Sequence, residues 1–224
     1  MMNRKKTIGI TYDLKDDYLK MGFSSEVVAE FDSIETINAI DEALVNYGYN
    51  TIRIGNIYSL VKFLAAGRKV DLVFNICEGL YGSSREAQVP SLLEAYNIDC
   101  VFSGASALTT TLNKAIAKTL IAKAGLKSAR FAVIESEEEI EYIDIPYPLF
   151  VKPLFGGTGQ GISSKSIVNN YSELNAEINR LLEIYTQPIL VEKYLEGREF
   201  TVGIVGNGKN ARAIATMEII VNPD

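Results

Sequence analysis

The sequence contains no histidine and only two cysteines among its 224 residues. Without histidine the chain cannot form a Ser-His-Asp or Cys-His nucleophile system, an imidazole general base or a histidine-containing zinc site. Cys77 and Cys100 are too few and too far apart for a metal knuckle, and they do not suggest a disulfide framework. Any chemistry must therefore use lysine, arginine, carboxylates, hydroxyls, backbone amides and bound ions, and a reduced, cytoplasmic compartment is expected.

An excess of basic charge and a long apolar run are also missing. The 22 Lys+Arg residues against 28 Asp+Glu give a net charge of −6, which argues against a wide phosphate-neutralising face, so no nucleic-acid partner is expected. Asp13 ends the first apolar run far short of a signal peptide, and the longest uncharged stretch, 100–113, is well below the roughly 20 apolar residues of a membrane helix. Hydrophobic residues make up 47% of the chain, which predicts a soluble protein with one large or two small domains and no membrane partner.

In the first half of the chain, short apolar runs alternate with helical patterns, which is the order typical of a parallel α/β sheet. A helix is predicted to begin at Asp32, where an N-cap residue is followed three positions later by Glu35. Ser83 and Glu86 form a second capping-box pattern, and Pro90 indicates either a kink or a late start of that helix. The predicted strands are 7–12, 51–55, 70–76 and 99–102, and the predicted helices are 32–48, 57–66 and 83–96.

Beyond the fourth strand, strand-like runs predominate, and hairpins are expected in place of crossovers. Residues 206–208 (Gly-Asn-Gly) offer a tight turn between the last two strands. A domain boundary is predicted near 105–112, which divides the chain into domains at 1–108 and 109–224. The predicted strands are 130–134, 148–152, 189–194, 199–205 and 211–220, and the predicted helices are 112–124 and one with Leu174, Ile178, Leu181 and Tyr185 on its apolar stripe.

The segment richest in chemistry is a glycine loop that follows an apolar strand. Four glycines lie within 156–161, and such a loop lets backbone N–H groups approach an anion closely. It is not a P-loop, because Ile162 stands where that motif needs lysine, and the dinucleotide-binding spacing also fails. A strand-loop-strand flap is predicted, with Lys152 of the preceding strand placed to neutralise phosphate. An ordinary glycine hairpin with a surface lysine is the alternative.

Two further segments could hold a nucleotide. Lys114 and Lys118 lie one helical turn apart on one face; they form a solvated face unless the helix faces the flap. Residues 189–202 read as strand, turn and strand, where free backbone groups could pair with a purine edge and Glu199 could take both ribose hydroxyls. A charged hairpin is the alternative for this segment.

Carboxylates and one arginine mark a second kind of site near the first sheet. Asp32 is expected to act as a helix cap, whereas Glu30 has no such role and is a candidate ligand for an amine. Glu78 and Arg85 follow a buried strand at its carboxyl end, where open α/β sheets bind ligands. They would then face the crevice, and a loop salt bridge is the alternative.

Taken together in this order, these segments resemble the D-alanine–D-alanine ligase family and its relatives in the ATP-grasp superfamily. The resemblance covers essentially the whole chain, and the order of the motifs is more specific than any one of them. The motifs are TIGI at 7–10, DLVFN at 71–75, Asn113-Lys114, FVKP at 150–153, the glycine flap and VEKYLEGREFTV at 191–202.

The resemblance implies an α/β fold, with an open parallel pre-ATP-grasp domain followed by an incomplete ATP-grasp domain. It also implies an ATP- and magnesium-dependent ligase that activates a carboxylate as an acyl phosphate and lets an amine attack it, as in dipeptide supply for peptidoglycan. Such chemistry depends on positioning and charge neutralisation more than on a strong base. The implied partners are small amino acids, D-alanine or similar, and a homodimer is possible.

Residue roles follow from the same resemblance. Lys114 and Lys152 would hold the ATP phosphates, and Glu30 would hold the amino group of the first D-alanine. Glu78 and Arg85 would line the substrate end. The flap over the phosphates comprises Gly156, Gly157, Thr158 and Gly159 within 156–163, and the adenosine site comprises Glu192, Lys193 and Leu195 for adenine and Glu199 for ribose.

The sequence also departs from the family pattern. Glu78 stands where many D-alanine ligases have histidine, and its surroundings look more like those of related ligases. A ligase for another amino or hydroxy acid, or a non-catalytic nucleotide-binding module, is therefore an alternative. The family's magnesium-binding Asp, Glu and Asn and its oxyanion-stabilising Arg have no counterpart, so metal ligands are expected beyond residue 224 and none is nominated here. We expect the chain to be a truncated piece of such a ligase and inactive by itself.

Overall fold

The structure, a computed structural model, describes residues 4–220. The chain begins with a parallel sheet of three strands in the order β2-β1-β3. Helices cover this sheet, and side chains from α3, β3 and α4 form its apolar core, among them Leu60, Val73 and Leu93. The elements are β1 (Thr7–Tyr12), α1 (Lys15–Lys20), α2 (Ile34–Asn46), β2 (Asn50–Gly55), α3 (Ile57–Ala65), β3 (Leu72–Ile76) and α4 (Gln88–Ala95).

An antiparallel sheet of four strands follows, in the order β4-β7-β5-β6. Two helices, α5 and α6, precede it in the chain, and a longer helix, α7, lies between β6 and β7 in sequence. The elements are α5 (Ala105–Leu112), α6 (Lys114–Lys123), β4 (Phe131–Ile134), β5 (Leu149–Pro153), β6 (Ile167–Val168), α7 (Tyr171–Tyr185) and β7 (Ile189–Lys193).

The two faces of this second sheet have different chemistry because side chains alternate along a strand. Val151 and Val191 are paired and fully buried, and they pack with Ile178 of α7 in one apolar cluster. On the opposite face, Glu192 lies across from Phe131 of β4 and Phe150 of β5. The apolar face thus anchors the sheet, and the other face is left for polar side chains.

The last two described strands, β8 (Glu199–Val205) and β9 (Arg212–Ile219), form an antiparallel hairpin. Every residue of both strands is exposed, including large apolar side chains such as Ile204 and Ile214. A two-stranded hairpin without a packed face is marginally stable, so this hairpin contrasts with the well-packed four-stranded sheet. None of the helices within residues 4–220 is long and apolar enough to cross a bilayer.

Most element positions agree with the sequence predictions, but the fourth parallel strand at 99–102 was wrong. Only one bridge forms there, between Val73 and Cys100, and it is supported by two backbone hydrogen bonds of 2.9 Å at Val73. Phe102 has a φ of +70°, which turns the chain out of the extended conformation before a ladder can form.

Two helix starts also differ from expectation. Ser33, and not Asp32, caps α2 by accepting from the Thr36 N–H, because the backbone of Asp32 pairs with Asp13 and Lys15, just after β1. The Ser83–Glu86 pattern caps no helix: a short 3-10 turn intervenes, and α4 begins at Gln88 with Pro90 in its first turn, which is the late start.

The helix predicted at 112–124 is interrupted at Asn113. This residue has a ψ of 100°, and its side chain accepts from the N–H groups of Ala115 and Ile116, so it ends α5 and caps α6. The domain division at 108/109 stays a prediction, and α5 crosses that point as a continuous helix.

Candidate functional site

Three lysines converge on the polar face of the second sheet. Lys152 lies on β5, and Lys114 and Lys118 lie on the first turns of α6. The Lys114 Nζ donates to the carbonyl oxygens of Leu154 at 3.2 Å and Gly156 at 2.5 Å. Burial, and then the charge of Lys152, lowers the pKa of Lys114 to about 8. Helix α6 therefore faces the flap, the condition under which the lysine pair gains a binding role.

Glu192 on β7 lies between two of these lysines. Its carboxylate is 2.5 Å from the Lys152 Nζ and 2.7 Å from the Lys118 Nζ. Burial tends to raise the pKa of Glu192, but hydrogen bonds from Lys118 and Lys152 outweigh burial and hold it below its ordinary value. Three lysines and one carboxylate leave a net positive charge at this place, which suits a polyanion.

The glycine flap connects β5 to β6, which pair antiparallel, as predicted for a strand-loop-strand flap. Gly156, Thr158, Gly159 and Gly161 all have positive φ values, between 49° and 103°. At Gly161 a Cβ would lie 2.7 Å from the Pro153 Cγ, so this position needs glycine for space as well as for conformation. The flap is a defined loop shaped by its glycines.

The flap touches both parts of the chain. The Gly157 N–H donates to the Glu30 carboxylate, and the Gln160 side chain donates to the backbone carbonyl of Glu26 at 3.3 Å. Tyr185, at the end of α7, donates its hydroxyl to the Glu26 carboxylate. Burial and this hydrogen bond raise the pKa of Tyr185 to about 12. Residues 26–30 thus contact the flap from the side of the first sheet.

Arg85 organises the carboxylates at the end of β3. It forms an ion pair of 2.6 Å with Glu30, and the two side chains are 12% and 6% exposed. It also donates to the backbone carbonyl of Glu78 at 2.8 Å, while the Glu78 and Glu86 carboxylates lie further away, at 3.7 and 3.8 Å. The sequence left two interpretations open for Glu78 and Arg85, a lining of the crevice or a salt bridge. In the structure these side chains form salt bridges and also line cavities at the end of β3.

A cavity of about 550 Å³ opens beside this arginine. Glu30, Glu78 and Glu86 line it together with Asp32, and Thr158 of the flap forms part of its wall. Burial, and then the charges of Glu86 and Glu30, raises the pKa of Glu78 to about 7. The cavity is acidic and adjoins the flap, so a positively charged group fits it best.

The residues predicted to bind adenosine do not lie together in one cluster. The Lys193 side chain leaves the face of Glu192, and its Nζ donates to the carbonyl oxygens of Tyr147 at 2.9 Å and Pro148 at 3.2 Å. Leu195 is 68% exposed, and Glu199 is exposed at the start of β8. The structure therefore brings Lys114, Lys152, Glu192 and the flap together, but it does not bring the side chains of Lys193 and Glu192 onto one face of the sheet.

Sequence reasoning missed several contributors to the site. Glu26, Gln160 and Tyr185 join the flap to the first part of the chain, and nothing in local spacing indicates contacts across more than 130 residues. Glu86 was read only as a helix-capping residue, although burial raises its pKa beside Arg85. For Lys118 a signal was present, the one-turn spacing from Lys114.

No group of three or more cysteine, aspartate or glutamate side chains within residues 4–220 is arranged to hold a metal ion. The described residues therefore give no ligand assignment for the Mg²⁺ that the family resemblance implies. The residues around Lys114 and Lys152 do suit the phosphates of ATP, because they combine lysines with a loop of backbone N–H groups.

Solved structures share this fold. The VanG D-Ala:D-Ser ligase of Enterococcus faecalis superposes with a TM-score of 0.71 at 20% identity, covering 96% of this chain and 70% of that one. The D-alanine–D-alanine ligase of Bacillus anthracis complexed with ATP superposes with a TM-score of 0.66 at 19% identity, covering 99% of this chain and 73% of that one. The fold is that of the ATP-grasp ligases.

Sequence matches define the family more narrowly. Residues 120–224 match the family described as D-ala D-ala ligase C-terminus. A D-alanine–D-alanine ligase of Citrifermentans bemidjiense is 31% identical over 188 residues, which is 84% of this chain and 58% of that protein. The chain belongs, over most of its own length, to the D-alanine–D-alanine ligase family. It spans a little more than half the length of curated relatives that it matches, 58% of the Citrifermentans bemidjiense protein and 57% of a second D-alanine–D-alanine ligase, from Trichlorobacter lovleyi.

Proposed function

We propose that this chain forms the first domain and the nucleotide-binding part of an ATP-dependent carboxylate–amine ligase that resembles D-alanine–D-alanine ligase. The observation that carries the proposal is the position of the flap. At Gly156 it meets the lysine cluster through Lys114, and at Gly157 it meets the acidic substrate end through Glu30. A loop that contacts both ends suits a reaction in which a phosphoryl group is transferred to a bound amino acid.

Each end has a separate task in this proposal. Lys114 and Lys152 neutralise the phosphates of ATP, which would supply the phosphoryl group that activates the substrate carboxylate. Glu30, oriented by Arg85, holds the ammonium group of the first amino acid. Because both groups are largely buried, their charge interactions are stronger than on an exposed surface. Mg²⁺ belongs to the proposal through the family alone.

The acidic cavity favours a second candidate substrate. Glu30, Asp32, Glu78 and Glu86 line one cavity, and Arg85 pairs with the three glutamates among them. D-alanine carries one ammonium group, whereas an amino acid with a second amine could pair with Glu78 as well. A related ligase that joins such an amino acid is therefore the alternative to the D-alanine enzyme.

ATP-dependent phosphate release tests the activity, measured on this chain and on the product of the whole gene that contains it. The substrates are D-alanine, D-serine, D-lactate and D- and L-amino acids with a second amine. The proposal expects release from the whole gene product that depends on both ATP and an amino acid. Stimulation by a diamino acid in place of D-alanine would select the alternative, and no stimulation by any of the panel would contradict a ligase.

The proposal also includes a location and an oligomeric state. A cytoplasmic location accords with two free cysteines, Cys77 buried and Cys100 partly buried, since disulfides are rare there. A homodimer is expected from the family resemblance, and sedimentation of the purified chain would test it.

A further inference from the structure

We propose that Lys118 is a positioning residue for the phosphate site: by sharing the carboxylate of Glu192, it keeps the charge of Lys152 available for the nucleotide phosphates. This inference rests on the proposed function, because it concerns the same site. The family resemblance assigns the phosphates to Lys114 and Lys152 and gives Lys118 no role. In the structure, however, the Lys118 Nζ lies 2.7 Å from the Glu192 carboxylate, beside the 2.5 Å of the Lys152 Nζ.

The side chains of Lys118, Lys152 and Glu192 form a compact and mostly buried cluster. Glu192 is 13% exposed, Lys118 is 15% exposed and Lys152 is 21% exposed. Lys118 takes one carboxylate oxygen, Oε2, and Lys152 takes the other, Oε1. Each carboxylate oxygen therefore has its own lysine, and neither lysine has Glu192 to itself.

Aromatic rings hold the two lysines on opposite sides of the carboxylate. The Lys118 Nζ lies 5.6 Å from the ring centroid of Phe131, and the Lys152 Nζ lies 5.5 Å from that of Phe150. Both rings belong to the residues directly across from Glu192 on the neighbouring strands. The sheet register thus places a cation over each ring and the carboxylate between them.

Lys118 changes the net charge around Lys152. Lys152 paired with Glu192 alone is neutral, whereas the pair with Lys118 added carries one net positive charge. At low exposure this difference matters, because charges that water does not screen interact strongly. Without Lys118, both oxygens of Glu192 are free to turn to Lys152, and an anionic phosphate would then have to compete with a carboxylate for that ammonium group.

A simple tether is the structural alternative, in which Lys118 only fastens α6 to the sheet. The two roles differ in which part of the nucleotide they affect. Loss of a tether would loosen the whole site and weaken ATP and adenosine together. Loss of charge control would weaken ATP through its phosphates and leave adenosine unchanged, and it would be reversed by removing the charge of Glu192.

The test compares ATP affinity by calorimetry with adenosine affinity by ligand-detected NMR, for the wild-type chain and four variants. The variants are K118M, K118R, the double variant K118M/E192Q and K123M, in which an exposed lysine on the same helix is replaced as the matched control. The proposal expects K118M to weaken ATP about tenfold and to leave adenosine within about twofold. K118R and K123M should bind like the wild type, and K118M/E192Q should regain the wild-type ratio of ATP to adenosine affinity.

Three results would overturn the proposal. Unchanged ATP affinity in K118M would remove any role for Lys118, and a parallel loss of ATP and adenosine affinity without recovery in the double variant would leave only the tether. If the wild-type chain itself bound no ATP, the proposed function would fail, and this inference with it. The wild-type measurement thus separates the two failures.

Discussion

The lysine cluster and the acidic cavity are neighbours, yet burial acts on them in opposite directions. Burial lowers the pKa of Lys114 to about 8 at one end and raises the pKa of Glu78 to about 7 at the other. The physical cause is the same, since removal from water disfavours the charged form of any group. As a result, an acid and a base both titrate near neutral pH at the two ends of one site, without a histidine in the chain.

The flap contacts both the lysine cluster and the acidic cavity. Adjacent residues face opposite charges: the Gly156 carbonyl accepts from Lys114, and the Gly157 N–H donates to Glu30. A carbonyl suits a cation and an N–H suits an anion, so one peptide unit matches both ends. The difference between the two regions is thus bridged by backbone dipoles, which require no side chain at these positions.

The largest effect is expected when the shape of the flap is disturbed. In G161A the new Cβ would lie 2.7 and 2.8 Å from the Pro153 ring and 3.1 Å from Tyr185, at a φ of +74°. Overpacking and left-handed strain together should lower the free energy of unfolding by about 3 kcal/mol. Denaturant unfolding of the purified variant measures this change.

G159A is the matched control for this variant. Gly159 has a similar φ, +71°, but a Cβ there meets nothing within 4 Å, so only the conformational strain of about 1 kcal/mol remains. Equal losses in both variants would show that Gly161 is not needed for space.

The next effect concerns the acidic end and depends on pH. Because the folded protein keeps the Glu78 proton up to about pH 7 and an unfolded glutamate releases it near 4.5, ionisation destabilises the fold as pH rises through this window. E78Q should therefore raise stability at pH 8 by about 2 kcal/mol, after a discount for partial exposure, and change it little at pH 4.5. Unfolding at both pH values tests this, with E42Q at an exposed position of α2 as the control. An equal gain at both pH values would argue against the raised pKa.

At the cationic end the pH dependence has the opposite sign. Lys114 loses its charge above about pH 8, so ATP affinity of the wild-type chain should fall about tenfold between pH 7 and pH 9. Arginine stays charged in this range, and K114R should therefore bind ATP with the same affinity at pH 7 and pH 9. Calorimetry at pH 7 and 9 measures both, and the same decline in K114R would assign the pH dependence to another group.

The smallest effect is expected at the contact between α7 and residues 26–30, which also contact the flap. Y185F removes the hydroxyl that donates to Glu26, and the loss of one such hydrogen bond is worth about 1 kcal/mol. Faster amide exchange is expected at Gln160 and Ile162, whose N–H groups bond within the flap. Exchange rates equal to the wild type at these two amides would show that Tyr185 does not hold the flap.

Local periodicity was sufficient for much of the fold. The apolar stripe of α7 was predicted from Leu174, Ile178 and Leu181, and all three are buried, because a 3.6-residue repeat needs no knowledge of distant partners. The segment at 99–102 shows the limit. Its apolar residues read as a strand, but strand formation depends on a partner over a sufficient length, and the turn at Phe102 prevents it.

The candidate site was predictable where its residues are tied to one motif. Lys152 and the glycines stand together in the sequence, and the structure keeps them together. The role of Glu192 was only partly visible, since its two lysines come from elements 40 and 74 positions away in the chain. The contacts of Glu26 with the flap and with Tyr185 depend on how the two parts of the chain meet, which no local pattern encodes.

Calorimetry with ATP on the wild-type chain, K152A and K165A decides whether the lysine cluster binds a nucleotide. Lys152 lies in the lysine cluster, whereas Lys165 is an exposed lysine beyond the flap. The wild type and K165A should bind ATP with the same affinity, and K152A should bind at least about 100-fold more weakly, since a largely buried cation facing phosphates is lost. ATP affinity that is unchanged in K152A would contradict the assignment of this cluster and its flap to nucleotide binding.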